Sequence, residues 1–233
     1  MASLLITADR MILTPAAGPH RVVSPGYVRA VDGVIVEAGE GRGHSSDATA
    51  AQVAAAADAG ARKVTHVFNA QTGVHHRDPG VAVRALIDER LSPGLILDLH
   101  HVGPEVATLV LRAAAGRVVL VTDAASAAGM PPGTYDLGGE PITMPEQGPP
   151  LRADGTIAGS GLRLDEAVGN AVALGVDPAD AVDAATRIPA DLVGRPDLGR
   201  IAPGAAADLV WLGPDHRALA TWVNGQEVFG GGS

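Results

Sequence analysis

The middle of this chain alternates apolar strands with helices, and that alternation limits its fold more than any other feature. From Asp47 the order is a helix ending at Gly60 (DATAAQVAAAADAG), a strand (VTHVFN), a helix (Val81–Arg90), a strand (GLILDLHH), a helix (Pro104–Ala115) and a strand (VVLVTDA). Two more helices follow, Asp165–Leu174 and Pro178–Ala185. Asp47 or Thr49 is suited to cap the first helix, and Gly60 and Gly116 stand where helices should stop. Strands that are apolar along their whole length are buried on both faces, which implies a parallel sheet with helical crossovers. The Gly- and Pro-rich stretch from Gly129 to Asp154 reads as a long loop or a small hairpin excursion.

The two ends have a different pattern. LLITADRMILTP and YVRAVDGVIVEAGE read as short strands, with Asp32-Gly33 as a hairpin turn. Strands are expected again at Leu209–Leu212, Ala220–Val223 and Glu227–Phe229, the last two joined by Asn224-Gly225. One small β-sandwich built from residues 1–40 and 208–233 is therefore expected beside an α/β unit of residues 41–207.

Composition narrows the chemistry. A net charge of −9 disfavours nucleic acid or an anionic membrane as partner, since both reward dense Lys/Arg patches. There is no Cys, so any metal must be held by His and carboxylates. No apolar run approaches the ~20 residues of a membrane helix. The N-terminus has no basic region before its short apolar stretch, so a cytoplasmic location is expected.

The chemistry-bearing side chains recur at one position in the pattern. His66 is read as ending the first strand, His100 and His101 the next, and Asp123 the third. His44, in GRGHSSDA, directly precedes a helix. Groups at the C-terminal ends of parallel strands share one catalytic mouth. Imidazole with carboxylate suits Zn or Fe, and an Asp beside a metal-bound water suits general base work. The loop GVHHRDPG, with His75, His76 and Arg77, is basic within an acidic chain, and reads equally as an anion site or a solvated loop.

Several of these segments occur in register in a known family. THVFNAQTGVHHRDPG, DLHHVGPE, LVTDAASAAGMPPGTY, LRADGTIAGSGLRLDEAVGN and GRIAPGAAADLVWL resemble, in that order, the N-acetylglucosamine-6-phosphate deacetylases of the amidohydrolase superfamily. The resemblance implies a partial (β/α) TIM-type metallo-hydrolase barrel with a terminal β-sandwich. It implies His44 and His66 as ligands of a divalent metal (Zn, or Fe) and Asp123 as general base and acid. Asn69, Ala70, Arg77, His101, Ile157, Ala158 and Gly159 match positions that hold the sugar phosphate. A homodimer is also implied, because in the family the counterpart of Arg77 crosses the subunit interface.

The departures concern the metal. No His-x-His occurs, and the family's Glu ligand and its carbonyl-polarising His have no counterpart. EAGEG runs directly into RGHSSDA where the family has a long block, and a complete TIM barrel takes about 250 residues. Asp98 or His100 is a candidate replacement for the Glu. Three readings follow: a deacetylase of N-acetylglucosamine-6-phosphate, a shortened and catalytically weak or inactive relative that binds a sugar phosphate or partner, and an amidohydrolase acting on another amide. The THVFNA segment and the basic loop after it argue against the third.

Overall fold

A computed structural model describes residues 48–230 throughout. It also describes the backbone of five earlier strands: β1 (Ser3–Ala8), β2 (Met11–Leu13), β3 (Arg21–Val23), β4 (Gly26–Val31) and β5 (Val34–Glu40). The chain gathers into two compact units, Met1–Arg62 with Ala70–Leu91, and Lys63–Asn69 with Ser92–Ser233.

In the first unit, β1, β4 and β5 form an antiparallel sheet in the order β1-β4-β5, and β2 pairs with β3. Val31 pairs with Val34, so β4 and β5 are joined across two residues, as the Asp32-Gly33 signal requires. α1 (Ala50–Asp58) and α2 (Gly80–Ile87) pack on each other. Thr49 caps α1: its hydroxyl accepts from the Gln52 N–H, and the Gln52 side-chain oxygen accepts from the Thr49 N–H at 2.8 Å. Beyond α2, the buried Asp88 carboxylate accepts from Arg84 and Arg90, both at 2.8 Å. Arg90 also pairs with Asp58 at the end of α1, tying the two helices together.

The second unit carries the parallel sheet, in the order β6 (Lys63–Val64), β7 (Ser92–Ile96) and β8 (Val119–Val121). Val64 pairs with Pro93 and Leu95 with Leu120. Leu95, Ile96 and Leu97 are all 0% exposed, which is why this strand reads as one apolar run. α3 (Pro104–Ala113) connects β7 to β8, while α4 (Leu164–Ala173) and α5 (Pro178–Ala185) pack on β8. A sixth helix, α6 (Arg187–Leu192), lies outside the sequence expectation. Pro189 reads as a breaker, yet it falls in the first turn, where a missing N–H costs no helical hydrogen bond.

The Gly/Pro-rich excursion is a hairpin, β9 (Gly133–Leu137) and β10 (Glu140–Met144). Gly138 and Gly139 both take positive φ, the geometry of a tight two-residue turn. Under it Ile142 packs with Ala125, Ala127 and Ala158, bordered by Tyr135, Leu137 and Met144. Last come β11 (Leu209–Leu212), β12 (Ala218–Val223) and β13 (Gln226–Gly230), an antiparallel sheet. The carboxylate of Asp165, at the start of α4, accepts from the Ala218 N–H at 2.9 Å and so fastens this sheet to the helix.

The architecture is thus α/β with parallel and antiparallel sheets, its parallel part a segment of TIM-type barrel that does not close. No helix among the described residues is long and apolar enough to cross a membrane.

Candidate active site

Backbone strain collects at one edge of the parallel sheet. Seven non-glycine residues among those described have positive φ, and four of them follow the C-terminal ends of β6, β7 and β8 within the second unit: His66, Phe68, Leu99 and Asp123. Such conformations cost about 1–3 kcal/mol each and persist only where surrounding contacts hold them. They also explain a departure from the sequence expectation. Only Val64 of VTHVFN lies in the strand, β6 covering Lys63–Val64, because the chain turns at His66, where the Asn69 N–H donates to the His66 carbonyl at 2.9 Å.

Behind β6 the turn orients His66. Its Nδ1 lies 3.0 Å from the Asn69 carbonyl oxygen. A carbonyl only accepts, so Nδ1 carries a proton. The Val67 N–H donates to the Gly94 carbonyl at 2.7 Å, anchoring the turn on β7. An imidazole held this way is suited to bind a metal through Nε2. His44, its expected partner, lies outside the described residues. Among the described residues no group of three or more His, Asp or Glu gathers as a metal site. The described donors therefore do not fit a three-ligand metal centre.

At the end of β7, Asp98 organises the loop. One carboxylate oxygen accepts from the His100 and His101 N–H groups, each at 2.9 Å. The other accepts from His101 Nδ1 at 2.7 Å. Both side chains are nearly buried, at 9% exposure for Asp98 and 5% for His101. Burial pushes the Asp98 carboxyl up, but the hydrogen bonds from the His101 ring and the two N–H groups outweigh it, leaving it below the ordinary value. Both oxygens are thus engaged within the loop, which disfavours Asp98 as a replacement metal ligand. His100 points to the exposed side.

At the end of β8, Asp123 is exposed and has φ 50°. The next position in the sheet is taken by the strip Ile157-Ala158-Gly159-Ser160. The Ser160 N–H donates to the Asp123 carbonyl at 2.8 Å, and the Ala125 N–H donates to the Ser160 carbonyl at 2.9 Å. These bonds make a parallel bridge between Ala124 and Ser160. Ser160 is 0% exposed, and its hydroxyl donates to the Thr122 carbonyl while accepting from the Leu162 N–H. A Cβ at Gly159 would stand 2.9 Å from the Asp123 carbonyl oxygen, so only glycine fits there. The strip expected to line a substrate thus also sets the backbone of Asp123. Ser160 was not singled out in the sequence, although the run AGSG hints at a close backbone approach.

The sheet order brings His66, the Asp98–His101 pair, Asp123 and the 157–160 strip to the same edge of the second unit. Ala70 and Arg77 belong to the first unit. Arg77 is exposed, and its N–H donates to His75 Nδ1 at 3.3 Å. Backbone bonds between His75 and Asp78 close this basic loop, and the rings of His75 and His76 lie 4.2 Å apart. Elsewhere in the second unit, Val168, Val182, Leu209, Trp211 and Trp222 line an apolar concavity of about 1090 Å³. Of the charges on its rim, Arg163 pairs with Asp165 and Arg187 with Asp183, while Arg200 pairs with Asp191 and Asp208 accepts from the Asn224 N–H, so the strand-end edge is the better candidate for chemistry.

The amidohydrolase family profile matches residues 30–228. An N-acetylgalactosamine-6-phosphate deacetylase of Escherichia coli O157:H7 is 44% identical over 79% of this chain and 49% of its own length. A putative N-acetylgalactosamine-6-phosphate deacetylase of Escherichia coli K12 is 43% identical over 69% of this chain and 97% of its own length. An N-acetylglucosamine-6-phosphate deacetylase of Vibrio furnissii is 35% identical over 95% of this chain and 55% of its own. Among solved structures, the N-acetylglucosamine-6-phosphate deacetylase of Thermotoga maritima superimposes with a TM-score of 0.75 at 33% identity, over 79% of this chain and 51% of that one. The chain therefore spans about half the length of most of these relatives, and nearly all of the K12 protein.

Proposed function

The chain belongs to the amidohydrolase family, and from that premise we propose that it binds an N-acetylhexosamine 6-phosphate as a catalytically weak relative of the deacetylases it resembles. The observation that carries this reading is a contrast. The strand-end loops that would meet the sugar are intact and tightly held, whereas the described residues supply no three-ligand metal centre. In this reading the chain is a partial barrel, residues 41–207, with a β-sandwich of residues 1–40 and 208–233.

The roles follow from chemistry. Arg77 would meet the phosphate, since a guanidinium matches phosphate oxygens with paired donors. Asn69, Ala70, His101 and the strip Ile157, Ala158 and Gly159 would contact the sugar and its acetamide. Deacetylation would use Asp123 to take a proton from the attacking water and return it to the leaving amine. His44 and His66 are the two side chains that would hold a divalent metal, one short of the usual three protein ligands. Relatives carry both glucosamine and galactosamine names, so the proposed ligand class spans both C4 epimers. A homodimer is part of the same proposal.

Calorimetric titration with N-acetylglucosamine-6-phosphate, and with unphosphorylated N-acetylglucosamine as control, tests the binding. Saturable binding of the phosphate alone, weakened by Arg77→Ala, is expected; equal response to both sugars would refute it. A second reading, that the chain is itself a deacetylase, is favoured by the strained and tightly held backbone of Asp123. Turnover with added Zn in the ordinary range of about 1–10³ per second, abolished by Asp123→Asn, would establish that reading instead.

A further inference from the structure

We propose that Asp98 is a positioning residue: it fixes His101 as the Nδ1–H tautomer, so that Nε2 meets the ligand as a hydrogen-bond acceptor. The geometry leaves the ring little choice. Asp98 bonds Nδ1 at 2.7 Å, and an ionised carboxylate can only accept, so the proton must lie on Nδ1. The same carboxylate holds the backbone on both sides of the ring, through the His100 and His101 N–H groups, and Leu99 turns the loop with φ 62°. Ring and carboxylate are therefore one preassembled unit, with the ring 5% exposed.

The remaining nitrogen is the one that faces outward. His101 makes its ring hydrogen bond through Nδ1, with no bond from Nε2 among the described residues. Yet no buried side-chain nitrogen or oxygen among those residues lacks a partner. Nε2 is therefore where this otherwise buried ring reaches solvent, at the strand-end edge that also holds Asp123. A neutral imidazole held in this tautomer selects a donor, such as a sugar hydroxyl, and disfavours a bare acceptor in the same place.

The mechanism makes an unusual demand on one substitution. Asp98→Asn keeps the shape but has a single acceptor oxygen where the carboxylate uses two. Two backbone N–H groups compete for that oxygen against one ring nitrogen, so the amide NH₂ turns towards Nδ1. Nδ1 must then accept, and the ring proton moves to Nε2. Nε2 changes from acceptor to donor with no change in the ring's position.

Long-range ¹H–¹⁵N spectra of the histidine rings read this directly, at a pH about two units above the ordinary imidazole value of about 6.5. The His101 signals are assigned by their loss in His101→Gln. The expected result is Nδ1–H in the unsubstituted chain and Nε2–H in Asp98→Asn. An Nε2–H tautomer in the unsubstituted chain overturns the proposal whether or not the variant folds. So does Asp98→Asn retaining Nδ1–H, since Asp98 would then serve only the turn. The consequence for the ligand rests on the sugar-phosphate reading and is measured separately. Titration with N-acetylglucosamine-6-phosphate should show affinity falling about ten- to a hundredfold in Asp98→Asn. A reversed tautomer with unchanged affinity would support the positioning role while removing His101 from the ligand site.

Discussion

Ser160 holds Asp123 from the adjacent position in the sheet: its N–H donates to the Asp123 carbonyl at 2.8 Å, and its hydroxyl donates to the Thr122 carbonyl. One residue thus fixes two consecutive carbonyls at the end of β8, where Asp123 takes a φ that costs free energy. Replacing Ser160 with Ala would leave the Thr122 carbonyl and the Leu162 N–H without these partners. A loss of about 1–3 kcal/mol is expected in urea unfolding. Ser160→Cys, which keeps a weak donor in similar volume, should fall between the two.

Gly159 and Gly155 offer a controlled comparison. Both have positive φ, at 71° and 84°, so alanine carries a backbone cost of roughly 1–2 kcal/mol at either site. At Gly155 a Cβ would meet open space, whereas at Gly159 it would meet the Asp123 carbonyl oxygen at 2.9 Å and the Ala125 Cβ at 3.2 Å. Gly159→Ala should therefore cost about 1–3 kcal/mol more than Gly155→Ala. It should also weaken sugar-phosphate binding, which Gly155→Ala leaves alone. Paired denaturation and titration curves check both expectations.

Acid should act on the first unit through Asp88. The Arg90 hydrogen bond, with that of Arg84, holds this carboxyl well below the ordinary carboxylate range against the cost of its burial. A carboxyl depressed in the folded chain contributes its full stability above the unfolded value of about 3.9. That contribution drains away as pH falls below this value towards the folded one. The melting temperature should therefore drop below pH ~4, and Asp88→Asn should show a shallower acid slope with lower stability at neutral pH. A variant with an unchanged slope would count against the assignment.

The buried parallel sheet should be far more sensitive to truncation than an exposed helix position. Leu95 is 0% exposed in β7, so Leu95→Ala should cost about 2–5 kcal/mol. Ile87, at the end of α2, is 66% exposed, and its replacement by Ala should stay within about 0.5 kcal/mol. Thermal unfolding of the two variants side by side measures the difference.

Local elements were legible where one physical signal acted alone. α5 runs from Pro178 to Ala185 as the sequence suggests, because Asp177 caps it and Pro178 occupies its first turn. β11 runs from Leu209 to Leu212 as expected, and Asn224-Gly225 does turn β12 into β13, with φ 51° and 76°. VTHVFN misled because its apolar residues suit a strand, while the turn at His66 depends on Val67 bonding Gly94 of another strand. Asn170 was read as one more helical residue, yet its side chain reaches the Leu97 carbonyl at 2.8 Å, tying α4 to the end of β7.

The sequence by itself determined the alternation of strand and helix, the appearance of His66, His101 and Asp123 behind successive strands, and the family. The first two rest on periodicity, caps and turn residues, which act over a few neighbours along the chain; the family rests on motif segments that resemble its members in register. Only the tertiary structure decided which partners hold those side chains. Thr122 and Ser160 are 38 residues apart, and their hydrogen bond exists because folding places two strand ends side by side. The Asp98–His101 pair lies within a single loop, but which carboxylate oxygen meets the ring and which meets the backbone depends on how β7 delivers that loop. Hydrogen bonds depend on direction and distance in space, and a pattern of residue types carries neither.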